Sequence, residues 1–108
     1  MSLRMSKHSR GEVWLVDLGL VAKVRPCLVI SIPALDQDRA LVTLVPHTTS
    51  ARSSRFEVDV KVKFLRRGAF DVQNLVTIPE AKLMRKLGAL SPTQISLVED
   101  TLRFWLGL

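Results

Sequence analysis

Ser91-Pro92-Thr93-Gln94-Ile95-Ser96-Leu97-Val98-Glu99-Asp100-Thr101-Leu102-Arg103-Phe104-Trp105-Leu106 reads as one amphipathic helix, and it follows a chain that otherwise reads as strand and turn. Ser91 stands as the cap, Pro92 falls in the first turn, and Gln94 sits where a capping box needs an amide reaching back. Ile95, Val98, Leu102 and Trp105 then recur at three- and four-residue steps, a stripe that docks on a sheet. Leu97, Leu106 and Leu108 lie off that stripe and leave apolar surface for a partner. Upstream the period changes. Residues 13–18 place Trp14, Val16 and Leu18 on one phase before a turn at Gly19. Residues 27–32 are apolar apart from Ser31 and lie between Pro26 and Pro33, which suits a strand buried on both faces. Residues 41–45 repeat that pattern and end at Pro46. Residues 56–64 alternate strictly, with Phe56, Val58, Val60, Val62 and Phe64 on one side and Glu57, Asp59, Lys61 and Lys63 on the other; this predicts a half-buried strand over the whole stretch. Residues 72–78 and 81–90 add shorter strands. Short strands followed by one helix, without βαβ alternation, place the chain in the α+β class as a small half-barrel.

With 108 residues the chain has room for one domain, on a prior of roughly 100–200 residues each. Residues 11–108 are expected to form it, behind a flexible basic tail at 1–10; a second methionine at Met5 makes part of that tail a candidate addition to the natural start. No apolar run approaches the ~18–20 residues that cross a bilayer, so the expectation is a cytoplasmic protein with no membrane role. The single cysteine, Cys27, has no thiol to pair with. Lys and Arg number 16 against 10 Asp and Glu, for a formal charge of +6. The excess is local: Arg52, Arg55, Lys61, Lys63, Arg66 and Arg67 stand against only Glu57 and Asp59 within residues 52–67. Such a segment attracts polyanions through phosphate contacts and counterion release, without choosing a sequence; the same residues also suit a plain solvated face.

Most site chemistries lack their residues. His8 and His47 have no second His or Cys at metal spacing, the carboxylates are scattered, and no glycine-rich phosphate loop or nucleophile elbow occurs, so neither a metal nor a cofactor is expected. Cys27, inside an apolar strand, reads as an inert core thiol. Phosphate chemistry run by cations and hydroxyls survives. RNA carries its own nucleophile in the 2′-OH, and a protein cleaves it by aligning that group and stabilising the charge that grows on phosphorus. An arginine fork suits the second task. Arg25, before Pro26, and Thr48, after Pro46, both fall at strand termini, where a rigid scaffold presents functional groups; a turn arginine and a turn threonine are the plainer readings of the same spacing. His47 points away from Thr48 in a regular strand, and is a base for a 2′-OH only if the chain turns at Pro46. Gln73 and Asn74 are placed either to read base edges or to bond within an interface.

Five motifs in order, Arg10-Gly-Glu-Val-Trp-Leu-Val-Asp17, Arg25-Pro-Cys-Leu-Val-Ile-Ser31, Val45-Pro-His-Thr-Thr49, Gln73 with Val76-Thr-Ile78, and Leu87-Gly-Ala-Leu-Ser91, make the chain similar to the MazF/PemK family of bacterial toxin endoribonucleases over residues 10–108. The resemblance implies a homodimeric SH3-like barrel with a C-terminal helix, the toxin of a type II toxin–antitoxin pair. It also implies metal-independent cleavage of single-stranded RNA at short sequences, leaving a 2′,3′-cyclic phosphate and a 5′-hydroxyl. The family's catalytic arginine falls on Arg25 and its threonine on Thr48, and its usual partner is an antitoxin whose disordered acidic tail fills the RNA groove. Two positions depart from the pattern. The loop at residues 18–24 is shorter than the Gly-rich loop common in the family, and the acidic residue that some relatives carry before the glutamine is Val72 here. Asp71 lies one residue earlier, which in a strand turns it to the opposite face. A non-catalytic binder on the same fold, like the CcdB-type toxins that act on DNA gyrase by contact, is the alternative. A barrel that only binds RNA is a third reading, though four Phe, two Trp and no Tyr make a thin stacking platform. Arg25 together with Thr48 favours catalysis.

Overall fold

The computed structural model describes residues 7–19 and 23–108. Alternate residues of the first three strands, β1 (Glu12–Asp17), β2 (Val24–Val29) and β3 (Leu41–Thr48), are apolar on both phases, so these strands feed two cores at once. Trp14, Val16, Cys27, Val29, Val42 and Leu44 enter one cluster, while Val13, Leu28, Ile30 and Val45 enter the other. Two short strands follow, β4 (Glu57–Val58) and β5 (Ala69–Asp71), then β6 (Val76–Pro79), β7 (Leu83–Ala89) and the helix α1 (Pro92–Leu106). Every pairing is antiparallel. The strands run β4-β5-β3-β2-β1-β7, with β6 also on β3. Because β6 and β7 lie at opposite ends of the array β6-β3-β2-β1-β7 yet are joined only by the 3-10 turn Glu80–Lys82, the sheet must curl. The Trp14 cluster fills the inside of that half-barrel. The other cluster lies between its outer face and α1, whose Val98 is fully buried.

The helix starts as its sequence dictates: the Ser91 hydroxyl accepts from Gln94 N at 3.2 Å and Gln94 Oε1 accepts from Ser91 N at 2.9 Å. Its stripe holds for Ile95, Val98 and Leu102 and weakens at Trp105, which is 41% exposed and packs on Phe56.

Four expectations change. First, β2 begins three residues earlier and β3 runs three further, straight through Pro26 and Pro46. Pro46 is the last rung on β2 and falls between the β6 and β5 rungs on its other side, so its missing N–H interrupts no continuous ladder. Second, residues 56–64 are strand only at β4. The in–out alternation is real, since Val58, Val60, Val62 and Phe64 all pack on the outer core, but beyond Val58 the backbone has no strand partner. Burial sets the period there, not pairing. Phe64 lies against Gly88, where a Cβ would come within 2.4 Å of the ring. Third, residues 72–78 are not one strand: Val72–Asn74 is a 3-10 turn, and β6 starts after it. Fourth, residues 7–10 of the tail are packed on the domain. Lys7 Nζ donates to Leu83 O at 2.8 Å, His8 is buried, and Arg10 bonds Ile30 O at 2.8 Å and pairs with Glu99. Residues 1–6, and the part of the short loop at 20–22, lie outside the described residues.

Candidate active site

Arg25 is the second residue of β2 and Thr48 the last of β3. The β2–β3 ladder pairs Val29 with Leu44, Leu28 with Val45 and Cys27 with Pro46. Continued two residues past that last rung, the same register sets Arg25 across from Thr48. Directly opposed residues of an antiparallel pair share a face. Arg25 shares its phase with Cys27 and Val29, and Thr48 with Leu44, so the two continue the inner face of the half-barrel beyond its apolar filling. Two adjoining clefts, each ≈ 360 Å³, share Arg25 and Thr48 as a common wall. One cleft adds apolar walls, Leu18, Pro46, Val76 and Ile78, beside His47; the other is polar, walled by Ser50, Arg52, Ser54 and Gln73. Thr48 Oγ1 accepts from Ser50 N at 3.0 Å. That bond uses a lone pair and leaves the hydroxyl proton to donate. The carboxylate of Glu57 accepts from Arg52 N at 2.9 Å and from Ser54 N at 2.8 Å, which ties down the loop that walls the polar side.

Asp71 and Asn74 complete the shared wall. The expectation that Asp71 faces away from the site is corrected. It is the last residue of β5, on the same phase as Ala69, which pairs with Thr48. The chain leaves the strand immediately afterwards, so strand alternation counted back from Gln73 does not apply. Val72, at the position of the missing acid, is fully buried in the outer core. Gln73 is exposed on the polar side, and the Asn74 amide donates to Asp71 Oδ2. The signal for this turn was present in the sequence: Asp and Asn three residues apart mark a turn as readily as a strand end.

The other nominated residues disperse. His47 is buried, its ring edge-on to Phe70 with centroids 5.1 Å apart, and its Nε2 has no hydrogen-bond partner among the described residues. It shares its phase with Val45 and turns its ring onto Phe70 of the outer core, while the residue also borders the first cleft beside Thr48. Burial pushes it below the ordinary histidine range, against the opposing pull of Asp59. Of the six cations in residues 52–67, Arg52 alone lines the clefts beside Arg25. Arg55 lies over the rings of Phe56 and Phe104, 4.6 and 5.1 Å from their centroids. Lys61, Arg66 and Arg67 line a groove that also holds Asp59, Arg67 lines as well a cleft of ≈ 450 Å³ that shares Ser54 and Glu57 with the polar one, and Lys63 is exposed. Cys27 is inert: burial pushes its thiol up to about 12, with Arg25 only partly opposing. Among the described residues, no three of His, Cys, Asp and Glu gather where a metal ion could be held.

Comparison with known proteins gives this constellation a setting. The family described as the PemK-like, MazF-like toxin of type II toxin–antitoxin systems matches residues 9–106. The chain belongs to the PemK/MazF-like toxin family. An endoribonuclease from a mycobacterial species is 27% identical, with a TM-score of 0.79 over 96% of this chain and 95% of that one. A mycobacterial endoribonuclease in complex with its cognate antitoxin is 28% identical, with a TM-score of 0.80 over 94% and 96%. The MazE–MazF complex of Deinococcus radiodurans, at 20% identity and a TM-score of 0.78 over 94% and 96%, shares the fold.

Proposed function

We propose that Arg25 and Thr48 are the catalytic pair of a type II toxin endoribonuclease that cuts single-stranded RNA with the RNA's own 2′-OH as nucleophile. The observation that carries this reading is the register of β2 on β3, which sets a guanidinium across from a donating hydroxyl on one wall of an open cleft. Arg25 supplies a two-toothed contact to the phosphate oxygens, and Thr48 donates a further bond to the charge that grows there. Neither residue is a nucleophile, and DNA lacks the 2′-OH.

Three further features go with the reading. The toxin acts in the cytoplasm, and no helix of the described residues is long and apolar enough to cross a membrane. Its partner is an antitoxin with an acidic segment that competes with RNA for the Arg25–Arg52 wall. Two copies form the working unit, with the exposed Phe104, Trp105 and Leu106 at the end of α1 as apolar surface for that contact. The test is cleavage of matched RNA and DNA oligonucleotides in EDTA, with mapping of the ends. Cut RNA bearing cyclic phosphate and 5′-hydroxyl termini, beside intact DNA, is expected; equal cutting of DNA, or loss of cutting in the chelator, overturns the mechanism.

A further inference from the structure

Three of the molecule's clefts run into one another. The polar cleft of Arg25 and Arg52 shares Ser54 and Glu57 with the ≈ 450 Å³ cleft that Arg67 lines, and that cleft shares Asp59 and Arg67 with the ≈ 240 Å³ groove of Lys61 and Arg66. Walls held in common make them successive stretches of one trough, which leads from the Arg25–Thr48 wall out along the loop between β4 and β5. Its shape is built into the backbone. Ser53 holds a left-handed conformation, φ 57°, that serine rarely adopts, and the Glu57 carboxylate fastens the amides on either side of it, Arg52 N and Ser54 N. Further out, Val60 is buried and Val62 and Leu65 pack on the outer core, so this stretch is anchored without a strand partner while Asp59, Lys61 and Lys63 stand exposed between them.

The chemistry along the trough is that of a phosphate track. Arg52, then Arg67, then Lys61 and Arg66 follow one another along it; all are exposed, and among the described residues no carboxylate pairs with any of their side chains, whereas Arg10, Lys86 and Arg103 are each paired. Two acids lie on the route. Glu57 spends both oxygens on backbone amides, and Asp59 alone lines both outer stretches. No aromatic ring lines either outer stretch, so bases have nothing to stack on there, and what remains is recognition of charge repeated along a strand. We propose that this trough carries the RNA flanking the cut, held through its phosphates at Arg67, Lys61 and Arg66 whatever its sequence, an inference that rests on the endoribonuclease reading above. An acidic protein segment is the rival occupant. Asp59 favours RNA, because bases bring N–H donors for a carboxylate to accept, while Asp and Glu side chains bring only like charge. The same cut sequence is then held more tightly within a long single strand than within a short one.

The experiment uses a short single-stranded RNA centred on a site the enzyme cuts, and the same RNA lengthened at both ends with unstructured flanks of two unrelated sequences. Each is made in a cleavable form and, for binding, with a 2′-deoxy residue at the cut. The proteins are wild type, Lys61→Glu/Arg66→Glu, and Lys82→Glu/Arg85→Glu, which makes the same change of charge outside the trough. Wild type should bind the longer strand more tightly with either flank, and with a steeper dependence on salt. Each added phosphate contact contributes about 0.7 to the slope, so three contacts cost the longer strand roughly twentyfold more affinity than the short one between 50 and 200 mM salt. In Lys61→Glu/Arg66→Glu the advantage of length should collapse, and in Lys82→Glu/Arg85→Glu most of it should survive. Equal losses in the two variants reduce the effect to net charge and overturn the trough. A longer strand bound no better than the short one, or an advantage that follows the flank's sequence, overturns it too. If Lys61→Glu/Arg66→Glu weakens an Asp/Glu-rich peptide but not the longer RNA, the trough belongs to an acidic partner and the proposal is again overturned. In each of these cases the cleavable strands are still cut, and the endoribonuclease reading stands; a wild type that cuts no RNA overturns both readings together.

Discussion

At the scale of single residues, the cleft separates groups that look alike in the sequence. On the proposal that Arg25 and Thr48 act on the phosphate, Arg25→Ala and Thr48→Ala should each slow cleavage by ~10²–10³-fold, the usual cost of removing one preorganised donor, with an unchanged far-UV spectrum. Turnover close to wild type in either variant would place the phosphate elsewhere. His47 and Cys27 should behave as core. Cys27, held up to about 12, should react with an aromatic disulfide reagent only as fast as the protein opens, and promptly in denaturant. His47 has a depressed folded value, which fixes the sign of its contribution. As pH falls below the unfolded value of ~6.5, the unfolded chain takes up a proton that the folded chain refuses, and stability drops. Urea midpoints should therefore decline between about pH 7.5 and about pH 5.5 in wild type, and decline less in His47→Leu. An equal decline in both would take His47 out of the account. Periodicity sets His47 on the opposite phase of β3 from Thr48, and its ring packs on Phe70. It failed for Asp71 because a strand of three residues is too short to announce itself before a turn.

At the scale of elements, the site depends on how closely β5 approaches β3, and one glycine permits it. A Cβ on Gly68 would stand 2.1 Å from Thr48 O and 2.8 Å from His47 Cε1, so the obstacle is backbone as well as ring. Gly68→Ala must push the start of β5 away from the end of β3, carrying Asp71 from Thr48. The expected outcome is destabilisation of about 1–3 kcal/mol together with a large loss of cleavage. Gly88→Ala meets the Phe64 ring first, which lines neither cleft, so it should lower the urea midpoint and leave turnover per folded molecule nearly as it was. Activity measured per folded molecule separates the two; equal losses of turnover would mean that β5 does not set the site. Elements with a strong period and clear caps, namely α1, β1 and the two-faced β2 and β3, were legible from the chain. Their ends at Pro26 and Pro46 were not, because whether a proline stops a strand depends on which ladder its nitrogen faces. The stretch after Val58 was misread for the converse reason. Its alternation comes from burial against the outer core, and hydropathy alone does not report a missing hydrogen-bonding partner.

At the scale of the whole molecule, a formal charge of +6 says that polyanions approach, while the fold decides where they stop. The basic stretch at residues 52–67 is not one surface: Arg52 walls the cleft with Arg25, Arg55 stacks on Phe56 and Phe104 near the end of α1, Lys61 and Arg66 line another groove, and Arg67 lines both that groove and the cleft at Ser54 and Glu57. Contributions to binding should follow that division. If RNA and the antitoxin's acidic segment use the same wall, Arg52→Glu must weaken both, because it removes a cation and plants a carboxylate beside Arg25. For single-stranded RNA each lost phosphate contact also reduces the steepness of log K against log salt by about 0.7. Lys61→Glu should weaken both ligands less at the same ionic strength, since Lys61 lines a different groove and exposed charges are screened within roughly 8–10 Å. Titrating each protein with a labelled, uncleavable 2′-deoxy form of the RNA and with an Asp/Glu-rich peptide, at several salt concentrations, measures all of this without cleavage. A fall in RNA affinity with peptide affinity unmoved would assign the two ligands to different surfaces, and the antitoxin would then have to silence the enzyme by some route other than filling the Arg25–Arg52 wall.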